Sequence, residues 1–141
     1  MDKALVLKKL EALRRCIERI ETRRPADPAT LRKDSDLQDI ITVNLERAVQ
    51  VCVDVAAALI ADTAHPSPET MSECFVELQA MKVLDNGLSA RLQKAVDFRN
   101  IAVHEYQEID WDIVFSIATK NLDDFRAYAA AVLAYCGLTK E

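Results

Sequence analysis

Glycine is nearly missing from this chain, with two residues in 141, and proline is scarce, with four. Strand-rich folds need more turn punctuation than that. Long apolar runs are missing too. The longest, Val55 to Ala61, is far too short to cross a bilayer. The first twenty residues mix Lys3, Lys8, Lys9, Arg14 and Arg15 with leucines, so they hold no uninterrupted apolar segment of a signal peptide. The expectation is a cytoplasmic protein with no membrane contact. No C-x-x-C pair occurs. Cys16, Cys52, Cys74 and Cys136 are widely spaced within apolar helical patterns, which argues for buried reduced thiols and against a disulfide framework or a zinc site. With two histidines in the chain, no credible metal cluster and no cofactor are expected.

What is present favours helices. Half of the residues are hydrophobic, and Ala, Leu, Lys, Glu and Arg dominate. The length suits one domain, residues 1–141. Val6, Leu10, Leu13, Ile17 and Ile20 recur at helical spacing and predict a first helix over Lys3 to Arg24, ended by Pro25 and Pro28. A second, longest helix is expected from Ser35 to Asp62, with Asn44 and Asp54 interrupting apolar surroundings. Ser67 followed by Pro68 predicts the cap of a third helix, Glu69 to Ala80. A fourth starts near Leu88 and runs into Arg99 to Tyr106. A fifth runs from an Asp110 cap to Gly137. The expected fold is all-α, an up-and-down four-helix bundle with one additional short helix.

The net charge of −5 is uneven. Residues 1–33 carry +5 and the remainder −10. This argues against a general nucleic-acid coat. Lys8, Arg15, Arg19 and Arg23 form either a local basic helix or an ordinary solvated face.

Arg99 is the anomaly of the fourth helix. At about 100° per residue, it falls about 20° from Leu88, inside the stripe made by Leu88, Leu92, Ala95 and Ala102. A guanidinium there faces the core or another subunit, and a buried one needs a partner. One reading is a structural ion pair. The other involves His104, about 140° away on a regular helix, while Tyr106 returns beneath Arg99. The two meet only if the helix ends near His104 or a second chain completes the site, as a two-fold interface allows.

Imidazole exchanges protons near neutral pH. Arginine stays charged and its planar fork suits a phosphate. Such a pair fits RNA cleavage by the RNA's own 2′-hydroxyl. His104 would act as acid or base, Arg99 would stabilise charge on the phosphorane, and Asn100 would orient the phosphate or imidazole. No step needs a metal. His65, in a Pro-rich turn, reads as a solvated loop residue.

Arg99-Asn100-Ile101-Ala102-Val103-His104-Glu105-Tyr106 resembles the R-N-x-x-x-H-x-Y signature of HepT-like proteins in the HEPN superfamily. The surroundings agree. Leu45-Glu46-Arg47-Ala48 with Val53-Asp54-Val55-Ala56, then Ser67-Pro68 leading to Phe75 and Leu78, resemble the family over nearly the whole chain. The resemblance implies a homodimer that cuts RNA without metal through an Arg/His pair at the dimer cleft. It also implies a toxin paired with a minimal nucleotidyltransferase antitoxin, which transfers AMP from ATP to the tyrosine of the motif, here Tyr106. Beside the cleft, that added group would block RNA and compete for Arg99. The plainer reading of Tyr106 is a packing tyrosine at a helix end. An accessory role is the rival for the whole chain: a non-catalytic HEPN module that binds a nucleotide or the partner nucleotidyltransferase.

Overall fold

The computed structural model describes residues 2–138, and every regular element within them is helical. α1 spans Lys3–Arg23, α2 Pro28–Lys33, α3 Ser35–Ala61, α4 Met71–Ala80, α5 Asn86–His104, α6 Trp111–Lys120 and α7 Leu122–Tyr135. A 3₁₀ turn, Tyr106–Glu108, follows α5. The four long helices α1, α3, α5 and α7 make the bundle. Three short helices accompany it, where the sequence led us to expect one.

The starts are set by short polar side chains. Asp2, Asp27, Asp34, Thr70, Asp85 and Asp110 each accept a hydrogen bond from a backbone N–H of the first turn they precede. This chemistry explains two departures from expectation. Asp27 with Pro28 at the first position makes α2, where only a break was read. α4 begins at Met71 because Thr70, and not Ser67, is its cap. Thr70 Oγ1 accepts from the Glu73 N–H at 3.2 Å, and the Glu73 carboxylate accepts from the Glu69 N–H at 2.7 Å. The expected fifth helix is two, α6 and α7. They part at Asn121, with Asp123 and Asp124 in the first turn of α7, where carboxylates favour a helix start. No glycine or proline marks that break.

α1 and α3 lie side by side, α4 packs on α3 and α5, and α5 also meets α3 and α7. Ile20, Ile41, Cys52, Leu59, Leu78 and Val132 are buried between them. Tyr128 of α7 is fully buried; its hydroxyl donates to the Cys52 carbonyl at 2.7 Å, and its ring meets Phe75 edge-on at 6.0 Å. Arg24 donates to the Ala118 carbonyl at 2.8 Å and ties the end of α1 to the end of α6. All four cysteines are free and buried, as expected. Burial pushes the Cys52 thiol well above its ordinary range. Asn44 is buried and donates to the Ile40 carbonyl, whereas Asp54 is half-buried and pairs with Lys9 at 3.2 Å. Among the described residues, no helix is long and apolar enough to cross a membrane.

Candidate active site

α5 has two halves. Leu88, Ser89, Leu92 and Val96 are buried, and Ser89 donates to the Phe75 carbonyl at 3.0 Å. Beyond them the helix leaves the core. Ala102 is the last buried residue, and Ile101 and Val103 are exposed. Arg99 stands in this emerging half and is half-buried. Its Nη1 donates to Asn100 Oδ1 at 3.3 Å, and among the described residues it forms no ion pair. Within the single chain, the structural ion-pair reading finds no partner for Arg99 among the described residues. The helical wheel placed Arg99 in the stripe correctly, but a stripe is buried only where neighbours cover it. Here the cover is partial: Val96 and Ala102 on either side are buried, while the longer Arg99 side chain is only half-buried.

α5 ends at His104 itself. The Glu105 N–H closes on the Ile101 carbonyl at 2.8 Å, and Glu105 then turns away at φ −138°, ψ 50°. His104 is exposed in the last turn of the helix. His104 therefore occupies a helix terminus and not a smooth helical face. Within one chain Arg99 and His104 do not hydrogen-bond to each other.

Tyr106 lies past the helix, so the wheel does not govern it, and the expectation that it returns beneath Arg99 gives way. Its phenol crosses to α3 and donates to Asp39 Oδ1 at 2.7 Å. Its ring meets Trp111 edge-on at 6.0 Å. The residue is 43 % exposed. Partial burial, the Asp39 bond and the charges of Asp39 and Glu46 push the phenol up to about 12. Asp39 was missed in the sequence because an acid in the second turn of a charged segment looks solvated. A signal was present: Asp39 and Glu46 are seven apart, which puts both on one face of α3.

A separate apolar cavity of about 560 Å³ lies between α3, α5, α6 and α7, lined by Leu45, Leu92, Phe98, Ile101, Ile113 and Phe125 among others. Arg99, Asn100, His104 and Tyr106 do not line it. His65, expected to be free in solvent, is exposed but lies 3.1 Å from Glu77. Among the described residues, no three His, Cys, Asp or Glu side chains are grouped to hold a metal ion.

Comparison with known proteins finds nucleases and a toxin among the relatives of this chain. The chain is 32% identical to the mRNA nuclease HepT of Shewanella oneidensis over 130 residues, 92% of this chain and 97% of that one. It is 26% identical to the tRNA nuclease HepT of Aphanizomenon flos-aquae over 99 residues, 70% of this chain and 67% of that one. Its fold matches the tri-AMPylated Shewanella oneidensis HEPN toxin, solved in complex with its MNT antitoxin, with a TM-score of 0.86 at 32% identity over 92% of this chain and 96% of that one. The sequence profile of the HepT-like ribonucleases matches residues 13–132, so the chain belongs to the HepT-like ribonuclease family.

Proposed function

We propose that the chain is an endoribonuclease toxin of a toxin-antitoxin pair, cleaving RNA without metal through Arg99 and His104. One observation carries this reading: the motif sits where a helix leaves the core, with Arg99 unpaired and His104 exposed at the terminus. In the reaction, His104 takes the proton of the RNA 2′-hydroxyl as that oxygen attacks the adjacent phosphorus. Arg99 stabilises the charge gathering on the phosphorane. The bond to the 5′-oxygen breaks, and that oxygen leaves protonated, with a second imidazole or water as the acid. The products are a 2′,3′-cyclic phosphate and a 5′-hydroxyl end. Asn100, hydrogen-bonded to Arg99, holds the guanidinium toward the phosphate.

The working unit in this reading is a homodimer. One chain does not join Arg99 to His104, and the segment around them exposes Ile101, Val103 and Ile113, apolar side chains suited to a partner surface. Two copies related by a two-fold axis would bring two Arg/His sets to one cleft. The partner is a minimal nucleotidyltransferase antitoxin, which transfers AMP from ATP to Tyr106 and so silences the cleft. The exposure of Tyr106 supports this, as does the AMPylated state of the similar Shewanella toxin.

The test is expression of the chain alone with growth and RNA integrity followed. Arrest with RNA breakage in the wild type, and neither with His104→Ala, is the expected outcome. A His104→Ala chain that arrests growth and breaks RNA equally would refute the assignment. A wild-type chain that binds a nucleotide or nucleotidyltransferase yet never cuts RNA would leave the accessory module in its place.

A further inference from the structure

One polar contact at the motif joins distant parts of the chain: Tyr106 Oη to Asp39 Oδ1, 2.7 Å apart across 67 positions. Its acceptor is a carboxylate, a group able to take the proton it is offered. The phenol is exposed enough to meet a second protein, and Trp111 backs the ring. Asp39 has no other described hydrogen bond, so nothing else on α3 or α5 occupies its carboxylate. Resting on the modification reading above, we infer that Asp39 is the general base for nucleotidyl transfer to Tyr106. As the phenolic oxygen attacks the α-phosphorus of a nucleoside triphosphate, its O–H bond breaks and the proton passes to Asp39 Oδ1. The new O–P bond forms, the bond to the bridging oxygen of the β-phosphate breaks, and pyrophosphate leaves with that electron pair.

The chemistry of the phenol gives this contact its importance. The charged groups acting on Tyr106 are Asp39 and Glu46, both on α3 and both negative. With the phenol pushed up to about 12, only about one in 10⁵ is ionised at neutral pH. Attack by free phenolate is correspondingly rare. A base in contact with the oxygen removes the proton during attack and does not depend on that population. The same device activates the substrate hydroxyl in protein phosphoryl transfer, where an aspartate accepts its proton.

The experiment uses the full chain, its nucleotidyltransferase partner, and ATP with magnesium, with intact mass followed over time from neutral to alkaline pH. Asp39→Asn keeps the shape and a hydrogen bond to the phenol but cannot take the proton. It should slow the first transfer by about 10²–10⁴-fold. Its remaining rate should climb toward tenfold per pH unit, as hydroxide supplies phenolate, while the wild type stays nearly flat. Asp39→Glu should recover part of the rate, and Asp36→Asn, on the same helix, should match the wild type. Thermal melts of each variant report folding separately. An Asp39→Asn chain modified at the wild-type rate overturns the inference. So does a slow Asp39→Asn chain whose pH profile parallels the wild type, since that pattern marks a structural role. If the wild-type chain accepts no nucleotidyl group, the modification reading itself falls. If the wild type is modified and only Asp39 proves dispensable, that reading stands without its base.

Discussion

Two tyrosines of this chain make the same bond length for different ends. Tyr128 and Tyr106 each donate a phenolic hydrogen bond of 2.7 Å, and each rests edge-on against another aromatic ring at 6.0 Å. Both phenols are pushed upward, with burial the leading cause. The acceptors differ. Tyr128 is sealed in the core and meets a backbone carbonyl, which satisfies a buried hydroxyl and cannot take its proton. Tyr106 is at the surface and meets a carboxylate, which can. The contrast teaches that a strong hydrogen bond on a tyrosine does not by itself mean structure. In the proposed reading, the acceptor and the exposure separate a packing phenol from one placed to react.

The largest effect that can sharpen this contrast is loss of modification. Tyr106→Phe should abolish nucleotidyl transfer to the motif, whereas Tyr128→Phe should be modified at the wild-type rate; intact mass after incubation with partner and ATP reads both. Equal labelling of Tyr106→Phe would place the modification elsewhere. Next come the two halves of α5. Arg99→Ala and His104→Ala should each lower RNA cleavage, His104→Ala by about 10²–10⁴-fold. Neither should cost much stability, since Arg99 is half-buried without an ion pair and His104 is exposed. Leu92→Ala, in the buried half, should do the reverse and lower unfolding free energy by about 2–5 kcal/mol in denaturant titrations.

Smaller effects separate the two phenols further. Tyr128→Phe removes a buried hydrogen bond to the Cys52 carbonyl, which keeps its partner within α3, and should cost about 0.5–1.5 kcal/mol. Tyr106→Phe should cost less, because its partner Asp39 is exposed and water can replace the phenol. In an ultraviolet titration, the phenol signal that Tyr106→Phe removes should be centred near 12 and should move toward 10 in Asp39→Asn. The sign for folding follows. A phenol raised in the fold contributes stability that is complete below its ordinary value of about 10 and is lost as pH climbs through about 12.

Much of the fold was legible because helical stripes and caps are local. The stripe of α1, the long α3 and the Asp110 cap of α6 stand where periodicity and chemistry put them. The misplaced start of α4 came from two adjacent capping choices, Ser67 before a proline and Thr70 before Glu73. The second caps the Glu73 N–H while the Glu73 carboxylate takes the Glu69 N–H, and it wins. The break at Asn121 carries no glycine or proline and was invisible. At the site, the motif could be read but its surroundings could not. The wheel located Arg99 on a stripe, yet burial depends on which helices cover that stripe. Asp39 reaches Tyr106 only through the fold, so no local pattern pairs them. The apolar cavity behind α5 has the same origin, since its walls come from four helices.

The central claim is that Arg99 and His104 cut RNA and that Tyr106 carries the switch. The most direct measurement follows RNA cleavage in one sample before and after treatment with the nucleotidyltransferase partner and ATP, for wild type, Tyr128→Phe and Tyr106→Phe. The account predicts that wild type and Tyr128→Phe cut at first and stop once one nucleotidyl group is added, while Tyr106→Phe cuts throughout. A Tyr106→Phe chain silenced as fully as the wild type, or a wild-type chain still cutting after complete modification, would contradict it.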